Sequence, residues 1–65
     1  MQVFVNGDPR DIESATLAAA LNALGYGGKK IATAVNGQFV PATGRPSKML
    51  AEGDKIEVVA PMQGG

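Results

Sequence analysis

The spacing of the apolar residues changes twice along this 65-residue chain, and that change constrains its fold more than any other feature. In the first half of the chain, four apolar residues have the spacing i, i+3, i+4 and i+7 of one helical face: Leu17, Ala20, Leu21 and Leu24. Thr16 (or, as the alternative, Ser14) can accept a backbone N–H at the helix start, and Gly25 can adopt the left-handed conformation beyond its end. The pattern predicts one helix whose leucines lie in the core.

On both sides of this helix the apolar residues instead alternate with other residues, as they do in half-buried strands. The predicted strands are 2–6, 10–13, 31–35, 38–40 and 55–60. A turn at 6–9 should join the first two strands, with Ile12 pointing inward. Asn36-Gly37 is a strong two-residue turn signal between the next two strands. The sequence therefore predicts two antiparallel hairpins and one further strand.

The order of these elements, ββαβββ, predicts an α+β domain in which one helix covers one face of a mixed five-stranded sheet. The last strand is among the most apolar, so we expect it to lie centrally, beside the first strand. Residues 42–50 are predicted to be irregular, with Met49 and Leu50 placed on the core. A chain of 65 residues has room for one domain, predicted over residues 1–60, followed by a flexible tail at 61–65.

Charge and composition argue against several functional classes. Six basic and six acidic side chains give a formal net charge of zero, whereas nucleic-acid binders usually carry a basic excess. No apolar run approaches the roughly 20 residues that cross a bilayer, and the N-terminus lacks the pattern of a signal peptide. We therefore expect a cytoplasmic protein with no nucleic-acid or membrane partner. The chain has no Cys and no His, which argues against a metal site and against an enzyme.

The last five residues are the segment to which the chemistry points. They follow the last predicted strand without turn chemistry: Pro61, Met62, Gln63, Gly64 and Gly65. Fully extended, they span roughly 17 Å, and the two glycines lack Cβ atoms, so a narrow channel can close around their backbone. A carboxylate on such a tether can be activated by another protein, although a Gly-Gly end can also be a frayed terminus. These five residues favour a protein that enzymes modify at its C-terminus.

Alternation along the strands predicts a second surface. Successive residues of a strand face opposite sides of the sheet, so Phe4 and Val59 should lie on the face away from the helix, with Ala32 or Ala34 between them on a neighbouring strand. A large apolar side chain such as Phe4 on an uncovered face favours a docking patch, which Met62 would extend toward the tail; scattered exposed hydrophobic residues are the alternative. We predict that Phe4, Ala34 and Val59 dock a partner.

Several short segments, none specific alone, occur together in a fixed order: Val3-Phe4-Val5-Asn6-Gly7, Thr16-Leu17, Val35-Asn36-Gly37, Val40-Pro41, Gly53-Asp54-Lys55-Ile56 and Gly64-Gly65. Together with the chain length, this order resembles the ThiS family, the small sulfur carrier proteins of thiamine biosynthesis, over essentially the whole chain. The resemblance implies a ubiquitin-like β-grasp fold, which agrees with the predicted element order. One segment departs from the family: after Val40-Pro41 many members carry an Arg and soon after a Trp, whereas this chain has Ala-Thr-Gly-Arg-Pro at 42–46.

The resemblance also implies a mechanism and a set of partners. An adenylyltransferase related to ubiquitin-activating enzymes uses ATP to adenylate the Gly65 carboxylate. A persulfide from a sulfurtransferase then displaces AMP and leaves a thiocarboxylate, whose sulfur is delivered to thiazole synthase. The chain itself is thus expected to be no enzyme and to need no cofactor of its own, with Pro61, Met62, Gln63 and Gly64 entering the partner's active site.

Four other functions are alternatives that share the fold or the Gly-Gly terminus. The small subunit of molybdopterin synthase has the same fold and a Gly-Gly thiocarboxylate but tends to be longer, and other Gly-Gly sulfur carriers differ in their acceptor. A protein modifier would join Gly65 to target lysines through an isopeptide bond. A plain β-grasp interaction module would not use its tail.

Overall fold

The computed structural model describes residues 1–60, in which five strands, one α-helix and one 3-10 helix are formed. In chain order the elements are β1 (Gln2–Val5), β2 (Asp8–Asp11), α1 (Leu17–Ala23), β3 (Ala32–Val35), β4 (Gln38–Val40), a 3-10 helix (Ala42–Ser47) and β5 (Lys55–Val59). The predicted order of strands and helix is confirmed. The 3-10 helix occupies much of the segment that was predicted to be irregular.

The five strands form one mixed sheet in the spatial order β2-β1-β5-β3-β4. β5 pairs parallel with β1, where Val5 lies opposite Ile56, and antiparallel with β3, where Ala32 lies opposite Val59. The antiparallel hairpins β1–β2 and β3–β4 therefore flank β5 on its two sides. The central position predicted for the last strand, beside the first, is confirmed.

The helix α1 begins and ends where its sequence signals predict. Thr16 is the N-cap, since its Oγ1 accepts the N–H of Ala19 at 3.2 Å, and Gly25 past the helix end has a φ of +96°. The helix packs on one face of the sheet, and together they enclose the core: Val3, Val5, Ile12, Leu17, Ala20, Leu21, Val35, Val40, Leu50, Ile56 and Val58. Leu24 is partly buried against this cluster, so the predicted leucine stripe is a core stripe.

The first hairpin is tighter than the sequence predicted. Asn6 and Gly7 alone form the turn, with φ of +51° and +88°, the left-handed pair that suits a two-residue turn between antiparallel strands. β2 therefore starts at Asp8, two residues earlier than expected. Pro9 fits within β2 because this edge strand has a neighbour on one side only. Ile12 is buried as predicted, just beyond the strand.

The prediction that Met49 and Leu50 both reach the core is wrong for Met49, which is 62% exposed, whereas Leu50 is buried. The backbone here forms an isolated antiparallel bridge between Thr16 and Met49, and the amide of Leu50 donates to the carbonyl of Ala15 at 2.9 Å. Successive side chains of extended backbone point in opposite directions, so only one of the two can face the core.

The 3-10 helix, which includes the segment that departs from the family pattern, is fixed to β3 by a buried hydroxyl. Thr33 is 1% exposed; its Oγ1 donates to the carbonyl of Val40 at 2.9 Å and accepts from Nε of Arg45 at 3.1 Å. Arg45 also donates through Nη2 to the carbonyl of Ile31 at 2.6 Å. A buried hydroxyl is costly unless it is hydrogen-bonded, so these bonds satisfy Thr33 and hold the 3-10 helix against the start of β3.

Asp54 organises the turn that precedes β5. Its Oδ1 accepts from Nδ2 of Asn36 at 3.0 Å, and its Oδ2 accepts from the amide of Ala51 at 2.8 Å. The hydrogen bond from Asn36 first, then that from Ala51 and the charge of Lys48, hold the pKa of Asp54 below its ordinary value of 3.8. Folding therefore favours the ionised form of this carboxyl group.

This lowered pKa predicts a defined loss of stability in acid. As the pH falls through the ordinary aspartate value toward the lower folded-state value, the unfolded chain binds the proton first, so the free energy of unfolding should decrease in that window. Asp54→Asn should remove this part of the acid sensitivity, as denaturant unfolding at about pH 7 and about pH 3 would show. Asp8→Asn, on the exposed edge strand, is the control. Equal pH dependence in the two variants would contradict the role of Asp54.

Candidate functional site

The face of the sheet opposite α1 is uncovered within residues 1–60 and carries exposed apolar side chains. Phe39 on β4 is 69% exposed and Val59 on β5 is 62% exposed. On β3 between them, Ala34 lies opposite Phe39 on one side and Glu57 on the other, and Ala32 lies opposite Val59. These apolar residues and Glu57 line one shallow groove. We call Ala32, Ala34, Phe39 and Val59 the open-face cluster.

Phe4 lies on the same face but outside this cluster. It is half-buried on β1, between Pro9 of β2 and Lys55 of β5. The expectation that an alanine lies between Phe4 and Val59 is wrong, because β5 separates β1 from β3. Lys55 and Val59 are four positions apart on β5, so Phe4 is displaced from Val59 by roughly 13 Å along the strand direction. Lys55 and Glu57 therefore separate two apolar regions.

The three residues predicted to dock a partner, Phe4, Ala34 and Val59, all belong to this open face, and their docking role stays a prediction. Sequence reasoning missed Phe39, the most exposed of the large hydrophobic residues in the described part of the chain. The signal was present, because the Asn36-Gly37 turn sets the hairpin register in which Phe39 lies directly opposite Ala34.

The end of β5 is held from the β1 side by a side chain. Asn6 accepts the N–H of Val58 through Oδ1 at 2.8 Å and donates through Nδ2 to the carbonyl of Val58 at 3.1 Å. On the other side, Ala32 of β3 pairs with Val59. The sequence pattern marks Asn6 only as a turn residue, so this contact was not predicted.

The residues predicted to carry the chemistry begin two positions after the end of β5, with Ala60 between. Ala60 is the last residue that the structure describes. Five residues lie outside the described part of the chain: Pro61, Met62, Gln63, Gly64 and Gly65. The attachment of sulfur at Gly65 and the entry of the tail into a partner's active site therefore stay predictions.

Metal sites and membrane-spanning helices are two other features that bear on function. Among residues 1–60, no group of three or more His, Cys, Asp or Glu side chains is placed to hold a metal ion. No helix in that part of the chain is long and apolar enough to span a membrane.

Known sequences similar to this chain point to one family. Residues 3–65 match the model of the ThiS family. The sulfur carrier protein ThiS of Thermus thermophilus is 40% identical over 63 residues, which cover 97% of this chain and 98% of that protein. A thiazole synthase of Paramagnetospirillum magneticum is 35% identical over 66 residues, which cover 100% of this chain but 20% of that protein.

Known structures agree with these sequence matches. The crystal structure of a thiamine biosynthesis protein (ThiS) from Geobacter metallireducens has a TM-score of 0.82 and 25% identity, with 100% of both chains covered. A solution NMR structure of a thiamine biosynthesis protein from the same organism has a TM-score of 0.77, with 100% of this chain and 88% of that chain covered. The mixed sheet, its central last strand and the covering helix define a ubiquitin-like β-grasp domain. Within that class, the chain belongs to the ThiS family.

Proposed function

We propose that this chain is a sulfur carrier of thiamine biosynthesis that acts through the carboxylate of Gly65. The observation that carries the proposal is the family match over residues 3–65, which runs through Gly64-Gly65 to the end of the sequence. The 40% identical relative, named a sulfur carrier protein, supports it. The fold supports it as well, because the residues that lead toward Gly65 leave from the central strand of the sheet.

The proposed chemistry takes place at one acyl carbon. An oxygen of the Gly65 carboxylate attacks the α-phosphorus of ATP on the activating adenylyltransferase, and pyrophosphate leaves. The acyl carbon then carries AMP, a good leaving group, which the terminal sulfur of a persulfide on a sulfurtransferase displaces. A thiol then attacks the sulfurtransferase sulfur of the resulting acyl disulfide; a new disulfide forms between these two sulfurs, and the thiocarboxylate of Gly65 leaves with the transferred sulfur.

In this scheme the chain is a protein substrate rather than an enzyme. ATP and the persulfide are bound by the partners, so the chain needs no cofactor of its own. Its composition supports this role, since it lacks the Cys and His side chains that most often act as nucleophile and general base. The reactions are proposed to take place in the cytoplasm.

Thiazole synthase is the proposed sulfur acceptor. The support is the match between this chain and a segment of a protein that is named thiazole synthase. A segment of this kind joined to a synthase in one polypeptide would raise the effective concentration of a sulfur donor near its acceptor. The same encounter is proposed for the present chain.

The open face is the proposed docking surface for the adenylyltransferase. The open-face cluster offers exposed apolar area, and Phe4 adds a second apolar region beyond Lys55 and Glu57. These two charges can set the orientation of the partner, because complementary charges at an interface fix its register. Val59 is separated from Pro61, the first residue of the tail, by Ala60 alone. A partner bound to the open-face cluster is therefore also close to the start of the tail.

Intact-protein mass spectrometry tests the carrier function. The full chain and a chain lacking Gly65 are purified under mild, non-reducing conditions from cells starved of thiamine. We expect a fraction of the full chain to be heavier by the exchange of one oxygen for one sulfur, localised to the C-terminal fragment, and no such fraction in the shortened chain. If the heavier species is missing even after incubation with ATP, adenylyltransferase and persulfide donor, the proposal is wrong. Conjugates of higher mass formed through Gly65 would instead favour a protein modifier.

A further inference from the structure

Two turns hold the central strand β5 in the same way from its two sides. One begins at Asn6, after β1, and the other at Asn36, after β3, and the two asparagines have nearly identical left-handed φ values of +51° and +52°. In each turn the side-chain amide reaches back to the backbone of β5. Asn6 contacts Val58 near the end of the strand, and Asn36 contacts Lys55 at its start.

The Asn6 side chain extends the pairing between β1 and β5. The backbone N–H of Asn6 donates to the carbonyl of Ile56 at 2.9 Å, and the chain then turns away into β2. The next backbone groups on this side of β5 belong to Val58, and the amide of Asn6 both accepts from and donates to them, at 2.8 and 3.1 Å. A primary amide has the donor and acceptor of a peptide group, so it replaces one further step of the strand.

We propose that Asn6 is a positioning residue for the reaction at the C-terminus. By fixing both backbone groups of Val58, it sets the point at which the chain leaves the sheet toward Gly65. This inference rests on the sulfur-carrier function proposed above, and it assigns a role in that function to a residue of the first hairpin.

The expected consequence of losing this contact follows from strand geometry. Without the amide of Asn6, β5 beyond Ile56 would keep only its pairing with β3. Each residue that detaches from the sheet adds about 3.3 Å of unanchored chain ahead of the reacting carboxylate. A misplacement of about 1 Å can lower the rate of an enzymatic reaction by about a hundredfold, so presentation of Gly65 should be sensitive to this anchor.

Asn36 provides a matched control within the same chain. Its Oδ1 accepts from the amide of Lys55 at 3.0 Å, and its Nδ2 donates to Asp54 at 3.0 Å. Like the side chain of Asn6, the side chain of Asn36 thus accepts one hydrogen bond and donates one. They act at the start of β5, away from the end that leads to the tail.

The test compares Asn6→Gly with Asn36→Gly in the full chain. Glycine adopts the left-handed conformation readily, so each variant removes the amide and retains the turn. Adenylation by the adenylyltransferase is followed as pyrophosphate release over a range of chain concentrations, beside thermal unfolding and amide hydrogen exchange. We expect both variants to lose similar thermal stability, because each loses two hydrogen bonds to asparagine.

Only Asn6→Gly is expected to change the reaction. Its kcat should fall by about tenfold or more, while its KM stays within about twofold of the native value because the open-face cluster is unaltered. Its Val58 amide should also exchange at least about tenfold faster than in the native chain, a change confined to the end of β5. If Asn6 had only a structural role, Asn6→Gly and Asn36→Gly would both lose thermal stability, and their kcat values would be the same.

Asn6→Asp is a milder variant that decides the question even where Asn6→Gly folds poorly. An aspartate tolerates the left-handed conformation and can still accept from the Val58 amide, but in its ionised form it cannot donate to the Val58 carbonyl. Its kcat should lie between those of the native chain and Asn6→Gly. A native kcat in Asn6→Asp, or equal kcat values in Asn6→Gly and Asn36→Gly, would overturn the inference alone. A native chain that is never adenylated would overturn the proposed function and the inference together.

Discussion

Deletion of Gly65 is expected to abolish sulfur loading and to leave the thermal unfolding of the domain nearly unchanged. Loading should be lost because the deletion moves the terminal carboxylate back to Gly64, which shortens its reach by about 3.3 to 3.6 Å. The domain should be unaffected because the core that is described within residues 1–60 runs from Val3 to Val58. The variant thereby separates the chemistry of the terminus from the stability of the fold.

Two measurements on the same purified variant check this prediction. Mass spectrometry after incubation with ATP, adenylyltransferase and persulfide donor reports loading, and calorimetry reports the unfolding temperature. The full chain, treated in the same way, is the positive control. Loading that survives the deletion would show that Gly65 is not the acceptor. A clear fall in the unfolding temperature would show that the terminus and the domain are not independent.

The second large effect is expected on the open face. Val59→Asp and Phe39→Asp should each weaken binding to the adenylyltransferase by about tenfold or more, since a buried, unpaired charge would replace apolar contact at the centre of the proposed interface. Both substitutions also place a second carboxylate in the groove that Glu57 lines. Phe4→Asp should weaken binding less, because Phe4 is half-buried and lies outside the open-face cluster.

Met49→Asp is the matched control for this series. Met49 is 62% exposed, as is Val59, but it lies beside Thr16 at the start of α1 rather than on the open face. Isothermal titration calorimetry with the adenylyltransferase should therefore give a native Kd for Met49→Asp. If the Kd values of Val59→Asp and Met49→Asp are the same, the docking face is wrongly assigned.

Local sequence predicted the elements whose formation depends on local chemistry. The helix followed from the cap at Thr16 and the spacing of the leucines, and the second hairpin followed from Asn36-Gly37. Even the central place of β5 was predictable, because its apolar residues call for burial between neighbours. These features depend on the backbone conformation of a single element and on which of its residues are apolar. A short stretch of sequence determines both.

The features that were missed depend on neighbours that are distant in the chain. Met49 points outward because its backbone bridges to Thr16, and Phe4 is separated from the alanines of β3 because β5 lies between the two hairpins. The contact of Asn6 with Val58 joins residues 52 positions apart. A local sequence pattern does not determine contacts between residues so far apart in the chain. The sequence therefore predicted which residues lie on the open face but not how they are placed relative to one another.

The central place of β5 also bears on how the protein is made. Synthesis proceeds from the N-terminus, so both hairpins and α1 emerge before the strand that joins them. Until β5 is present, β1 and β3 each lack their inner neighbour, and Ile56 and Val58 are missing from the core. We therefore expect the domain to fold only after β5 has been synthesised. A chain truncated before β5 would therefore be unfolded and subject to proteolysis, rather than a stable domain that binds the partner enzymes without presenting the Gly64-Gly65 terminus.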